Sequence, residues 1–237
     1  MTKKIDSKTY VMKPGSHPWR ICPLEYHWVN EHPRKEDKGI IVLIKGHCRK
    51  NPGTKDILTA DEIKEISEIF RDQLMPEDFP TKSHLGFGTD GNKYDELIAG
   101  WVKYWNETLK LKVKIDPTLI KVLIGSESSF LVKPPTSPLH KAIGLVQLMP
   151  ETIKLLANSK ELKNYHVAIN QKDAWEPSVN IASAVRWFVR KRELIKFVLK
   201  REPTKFEILE GYKGILGDTS PTAKKTRKVL EQLWAKI

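Results

Sequence analysis

Cysteine is nearly missing from this chain of 237 residues: only Cys22 and Cys48 occur. So few thiols exclude a small scaffold stapled by many disulfides. No apolar run approaches the roughly 20 residues that cross a bilayer, so no membrane-spanning helix is expected. The first residues, MTKKIDSKTYVMKPGSHPW, are basic but lack the apolar centre of a secretory signal. Synthesis and folding in the cytoplasm follow as the expectation. Internal repeats and low-complexity tracts are also missing.

Acidic residues are in deficit, 29 against 41 Lys and Arg, which leaves a net charge of +12. That excess points to an anionic partner, such as nucleic acid or a bacterial wall with acidic peptides and polymers. The bases cluster at Arg186, Arg190, Lys191, Arg192, Lys196, Lys200 and Arg201, and again at Lys224, Lys225, Arg227 and Lys228. Both clusters fall on predicted helices, where a solvated face explains them. No recognition-helix or RNA-binding aromatic motif accompanies them, so nucleic acid is not the expected partner.

At 40% hydrophobic and 30% charged residues, the chain has the composition of an ordinary globular protein. Its length allows one substantial core, or a core with a small appendage. From about residue 90 the pattern is helical. Leu97, Trp101 and Tyr104 recur at helical spacing. Asp116-Pro117 is a cap followed by a first-turn proline, and opens a helix carrying Ile120, Leu123 and Ile124 inward. Gly125 and Ser126, Ser128 and Ser129 are poor helix interiors, so this helix should fray just past Glu127. The prolines of Val132–Pro138 predict an exposed loop beside Glu127. Further helices are expected from Pro150, Pro177 (to about 200), Pro203 and Ser220-Pro221.

The first 90 residues differ. Gly39–Gly46 is the best strand candidate. Thr59-Ala60-Asp61-Glu62 is a capping box for a helix reaching about Leu74. Met75 to Lys93, rich in proline and glycine, reads as a linker. The expected organisation is an N-terminal extension over 1–90, of unknown role, and a helical domain over 91–237.

Glu127 is a carboxylate on an apolar helix, where packing gives no reason for it. Burial there should raise its pKa and keep a proton near neutral pH, as acid-assisted cleavage of a glycosidic bond requires. Three further segments follow: Gly144-Leu145-Val146-Gln147-Leu148-Met149-Pro150-Glu151-Thr152, then Glu176-Pro177-Ser178-Val179-Asn180-Ile181, then Gly211-Tyr212-Lys213-Gly214. With Glu127-Ser128, in this order, they resemble the catalytic domain of soluble lytic transglycosylases over about residues 94–237. Each motif is weak alone, and their order makes them specific. The departures are Val146 for the usual methionine and Lys213 for the usual asparagine. Lys213 puts any contact made by that asparagine in doubt.

The resemblance implies a mainly α, lysozyme-like catalytic domain, here with a small N-terminal extension containing a short strand. It implies cleavage of the bond between N-acetylmuramic acid and N-acetylglucosamine in peptidoglycan, with Glu127 as the catalytic acid. Ser128, Gln147, Met149, Asn180 and Tyr212 are the expected substrate-binding residues. For Met149 a place in the core is the alternative, and for Asn180 an internal brace. Neither metal nor cofactor is implied. The residues themselves bear on the mechanism. Hydrolases add a second carboxylate about 5 Å or about 6.5–9.5 Å away. No Asp or Glu lies between Glu127 and Glu151. Asp173 and Glu176 are the nearest later candidates for that role, and Glu176 is better explained as a helix cap. One carboxylate is the economical count. In the family's mechanism the muramyl acetamido oxygen replaces the second acid, and the product carries a 1,6-anhydro ring. The alternatives are a goose-type lysozyme that hydrolyses the same bond and a wall-binding protein without catalysis.

Trp101, Trp105, Trp175 and Trp187 could stack on sugars, but their spacing assigns most of them to the core. Cys22, His27, His32, His47 and Cys48 share one short stretch. Two free thiols are the default reading, with a structural zinc or a Cys22–Cys48 disulfide as alternatives. Trp19-Arg20 and Tyr26-His27-Trp28 would either extend a glycan groove or seal the extension onto the domain. A monomer acting on glycan strands is expected. It would reach the wall by a secretion apparatus, by injection or through a phage lysis system.

Overall fold

The computed structural model describes residues 22, 26–29, 31–35, 41–50, 56–69, 73–135, 141–162 and 164–237. Trp19, Arg20 and the side chains of His27 and Trp28 lie outside what is described. Seven α-helices are present among these residues: α1 (Ala60–Ile69), α2 (Asp95–Thr108), α3 (Pro117–Ser128), α4 (Pro150–Leu156), α5 (Pro177–Leu199), α6 (Lys205–Tyr212) and α7 (Pro221–Trp234). The strands are short and lie mostly in the N-terminal part, so the mainly α fold expected from the sequence is what forms.

The start signals operate as side-chain chemistry. The Asp116 carboxylate accepts from Thr118 N–H, that of Glu176 from Val179 N–H, and the Ser220 hydroxyl from Ala223 N–H. Each satisfies a donor that the first helical turn leaves unpaired. Thr59 and Glu62 exchange the two bonds of a capping box ahead of α1. A second capping box, Thr204 with Glu207, starts α6, so Pro203 stands outside that helix and does not open it.

Helix α5 is the axle. Ser178 to Val189 are buried on every side, with α1, α2, α4 and α6 packed around them. Trp101 and Trp105 of α2 reach it with their indole N–H groups, which donate to Ser178 Oγ at 2.9 Å and to the Ala182 carbonyl at 2.8 Å. Trp187 is also buried, and Trp175 alone of these four tryptophans is partly exposed. Arg186 points inward, donates to the carbonyls of Asn164 and Tyr165 and lies over the Trp105 ring. Desolvation lowers its guanidinium pKa to about 10, still well above neutral, so it stays charged.

The N-terminal part holds more strand than Gly39–Gly46 suggested. Strands β1 (Tyr26–Val29), β2 (His32–Lys35), β3 (Ile41–Ile44) and β4 (His47–Lys50) pair antiparallel as β1–β4 and β2–β3. Both pairings keep one register, since Tyr26↔Lys50 and Lys35↔Ile41 sum to the same number. The four strands therefore form one long interrupted hairpin. Cys22 is disulfide-bonded to Cys48 on β4, which corrects the default reading of two free thiols. Among the described residues no cluster of His, Cys, Asp and Glu could hold a metal ion. Strand β5 (Ile57–Thr59) pairs parallel with β6 (His166–Ala168), and α1 packs on α5.

Met75 to Lys93, expected to be a linker, is packed structure. Short 3-10 turns at Pro76–Asp78 and Gly88–Asn92 shape it, and Leu85 is buried in the same core as α2, α3 and α5. The anchor is Lys121 of α3. Its fully buried ammonium donates to the Thr81 carbonyl at 2.7 Å, Asn92 Oδ1 at 2.6 Å and Asp95 Oδ2 at 2.9 Å. Flexible composition is thus overridden by a charge that has no other way to be solvated.

Candidate active site

Helix α3 ends where the sequence said it would fray. Ser129 caps it at φ 53°, with Phe130 also left-handed at φ 64°, and the Ser129 N–H returns to the Gly125 carbonyl. Phe130 turns into the core against Phe87, with ring centroids 5.2 Å apart. This tight reversal leaves Glu127 on the last turn of the helix, with its side chain 18% exposed.

Tyr212 feels the Glu127 charge and reaches the turn 143–148, which Ile143 and Leu148 close by exchanging backbone hydrogen bonds. Asn180, deep on α5, holds that turn from below. Its Oδ1 accepts from Val146 N–H at 3.0 Å, and its Nδ2 donates to the carbonyls of Ile143 and Ala174 at 3.0 and 2.8 Å. The side chain is fully buried with its amide spent on backbone. Asn180 is therefore the internal brace of this turn, one of the two readings open for it from the sequence. Gly144 sits at φ 75°, and a Cβ there would meet Asn180 Nδ2 at 2.2 Å. Only glycine fits both the conformation and the contact.

The other expected residues separate. Gln147 is left-handed at φ 51° and donates from Nε2 to the Gly144 carbonyl, keeping its Oε1 as an acceptor. Met149, just ahead of α4, is exposed at 43%, so it is not a core residue. Ser128 is buried, and its hydroxyl donates back to the Ile124 carbonyl, a helix-end bond. Tyr212, at the end of α6, brings its hydroxyl to 3.4 Å from the Val146 carbonyl. Burial, and then the charge of Glu127, push its phenol pKa well above the ordinary value, so it remains a proton donor in hydrogen bonds. The acids considered as a second carboxylate are occupied elsewhere. Glu176 caps α5, and Asp173 accepts from the Asn170 N–H.

One contact was not foreseen. Lys213 places its ammonium 2.9 Å from Glu127 Oε1 and 3.3 Å from Ser126 Oγ. The only trace of it in the sequence is the departure at that position, a lysine where the resemblance led to the expectation of asparagine.

This arrangement of a helix-end glutamate, an asparagine-braced turn and a tyrosine on a later helix coincides with a match to known proteins. The family profile described as "Transglycosylase SLT domain" covers residues 103–232. The chain belongs to the SLT transglycosylase family. No curated protein matches the chain. The SLT region runs from within α2 to the last turns of α7 and so contains Glu127, the turn 143–148, Asn180, Tyr212 and Lys213. Membership places the chain among lysozyme-like enzymes that act on peptidoglycan. No helix among the described residues is long and apolar enough to cross a membrane.

Proposed function

We propose that this SLT protein is a lytic transglycosylase, which cleaves the β-1,4 bond between N-acetylmuramic acid and N-acetylglucosamine without water. The reading rests on one observation. Glu127 is a shielded side chain close to Tyr212, which reaches the turn 143–148, while Asp173 and Glu176 are tied to backbone N–H groups.

Glu127 gives a proton to the leaving glycosidic oxygen as the bond to C1 breaks. The carbonyl oxygen of the muramyl 2-acetamido group supports the positive charge developing at C1. Glu127, now a carboxylate, removes the proton of the 6-hydroxyl, and O6 closes on C1 to give the 1,6-anhydro ring. The proton lent in the first half returns in the second, and no water is consumed. Gln147 and Tyr212 supply polar contacts to the acetamido groups, and Met149 gives the groove an apolar wall.

The substrate lies outside the cytoplasm, and the Cys22–Cys48 bond suits an oxidising compartment. Delivery by a secretion apparatus or a phage lysis system fits both.

Mass analysis of digested sacculi tests the reading. Muropeptides ending in 1,6-anhydro-muramic acid are expected. Reducing ends would instead establish the hydrolase, and tight binding without any cleavage would establish the non-catalytic wall binder.

A further inference from the structure

We infer that the cavity between the C-terminal end of α2, the segment before β6 and α5 is a second, non-catalytic binding site, and that it takes a peptide end bearing a free carboxylate.

The cavity has a volume of about 580 Å³, within the range of small-ligand sites. It lies away from the candidate active site: Glu127, the turn 143–148, Tyr212 and Lys213 are all missing from its walls. Helix α5 explains the separation. Arg186, in the cavity wall, is six residues on from the brace Asn180, which puts it about 9 Å along the helix and about 240° around it.

Arg186 is only 4% exposed, yet among the described residues no carboxylate is bonded to it. Its Nε and Nη2 donate to the backbone carbonyls of Tyr165 and Asn164, and its Nη1 is buried without an acceptor. The charge of Glu193 reaches it but is outweighed by burial. The neighbouring Arg190 is differently placed. Glu161 accepts from its Nε at 2.8 Å and Glu193 from its Nη1 at 3.4 Å. Both acids of the wall are thus engaged by one arginine. Lys110 and Lys160, also in the wall, are exposed, and among the described residues neither ammonium has an ion-pair or hydrogen-bond partner.

Three cations in one wall are therefore left without an acid, and for the buried one that condition is costly. A ligand carboxylate supplies the missing counter-charge. It sits toward Arg186 and accepts N–H bonds from the two ammoniums, which follow it on flexible stems. Leu109, Leu162 and Tyr165 give the same cavity apolar surface for the rest of a short chain. Glu161 and Glu193 favour a singly charged carboxylate over a doubly charged phosphate, because they repel each added negative charge. Their oxygens also offer acceptors to peptide N–H groups.

The test titrates the isotope-labelled full chain with the acetylated dipeptide of D-alanine, its L-alanine counterpart, the C-terminal amide of each, and inorganic phosphate. Amide NMR shifts are the readout. Saturable shifts at Lys110, Lys160 and Asn164, with none at Gly144 and Gln147, are expected for a free acid and not for its amide. Binding of the D form alone supports the site and makes a wall peptide its source. Binding of the L form alone supports it and makes a protein C-terminus the source, and binding of both shows a site that reads the carboxylate itself. Lys110→Ala with Lys160→Ala should weaken binding by about tenfold. Lys224→Ala with Lys225→Ala, an equal loss of charge from exposed positions on α7, should leave it unchanged. The proposal is overturned if no free acid gives saturable shifts, or if acids and amides bind alike. Tighter binding of phosphate, equal weakening by the two double variants, or shifts confined to Gly144 and Gln147 would each overturn it as well.

Discussion

Glu127→Gln keeps the size of the side chain and removes its proton. The expected outcome is a loss of sacculus cleavage by about 10²–10⁴-fold or more, with binding to sacculi retained. Quantifying anhydro-muropeptides against pelleted protein separates the two effects. Gly144→Ala asks for something else, a Cβ at φ 75° where Asn180 already stands. Left-handed strain and overpacking together should cost about 2–4 kcal/mol, read as a fall in the urea midpoint. At this scale the sequence was informative where chemistry and backbone coincide. Glu127, Gln147 and Tyr212 were expected at one place from their residue types and order, and the fold brings Tyr212 close to Glu127 and against the turn that carries Gln147. Asn180 was legible as a binding residue or a brace, and only the fold shows that its amide is spent on backbone. Lys213 was noticed as a departure, and its partner was hidden because the chain travels 87 residues between Ser126 and Lys213 before the side chains meet.

Helix starts were readable because their caps are local chemistry: Asp116, Glu176 and Ser220 each bond the turn they begin. The hairpin strands β1, β2 and β4 were not readable, since each has four residues and no clean alternation. The segment 75–93 misled because its composition favours a linker while a single distant cation, Lys121, fixes it. Lys121→Met should destabilise the fold by about 3–5 kcal/mol, because it strands the Asp95 carboxylate and the Asn92 and Thr81 acceptors. The double change Lys121→Met with Asp95→Leu should recover part of that loss, which chemical denaturation would show. Helix α1 carries a pH dependence of its own. Burial first, then the charges of Glu62, Glu68 and Asp61, raise the pKa of Glu65 from 4.5 to about 7. The folded state therefore holds this proton more tightly than the unfolded chain. Its contribution is fully present below about 4.5 and lost as pH climbs through about 7. Thermal unfolding should show Glu65→Gln gaining Tm relative to wild type at pH about 8 and gaining little at pH about 4.

The whole molecule combines a net charge of +12, an N-terminal hairpin closed by a disulfide and a helical core built on one axle. Reduction of Cys22–Cys48 removes a cross-link across 26 residues and should lower stability by about 3 kcal/mol, provided that the hairpin unfolds with the core. If thermal melts with and without reductant coincide, the hairpin is an independent unit.

The Lys121 anchor has a further consequence for how this protein can be cut. Every acceptor for that ammonium, Thr81, Asn92 and Asp95, precedes residue 103, where the SLT match begins. The boundary expected near residue 90 falls inside the same clasp. A fragment trimmed to the family's edges would keep the lysine and discard all three acceptors, exposing a bare charge where the intact protein has a filled socket. A piece that keeps the clasp must start ahead of Thr81, well before the edge that comparison recognises.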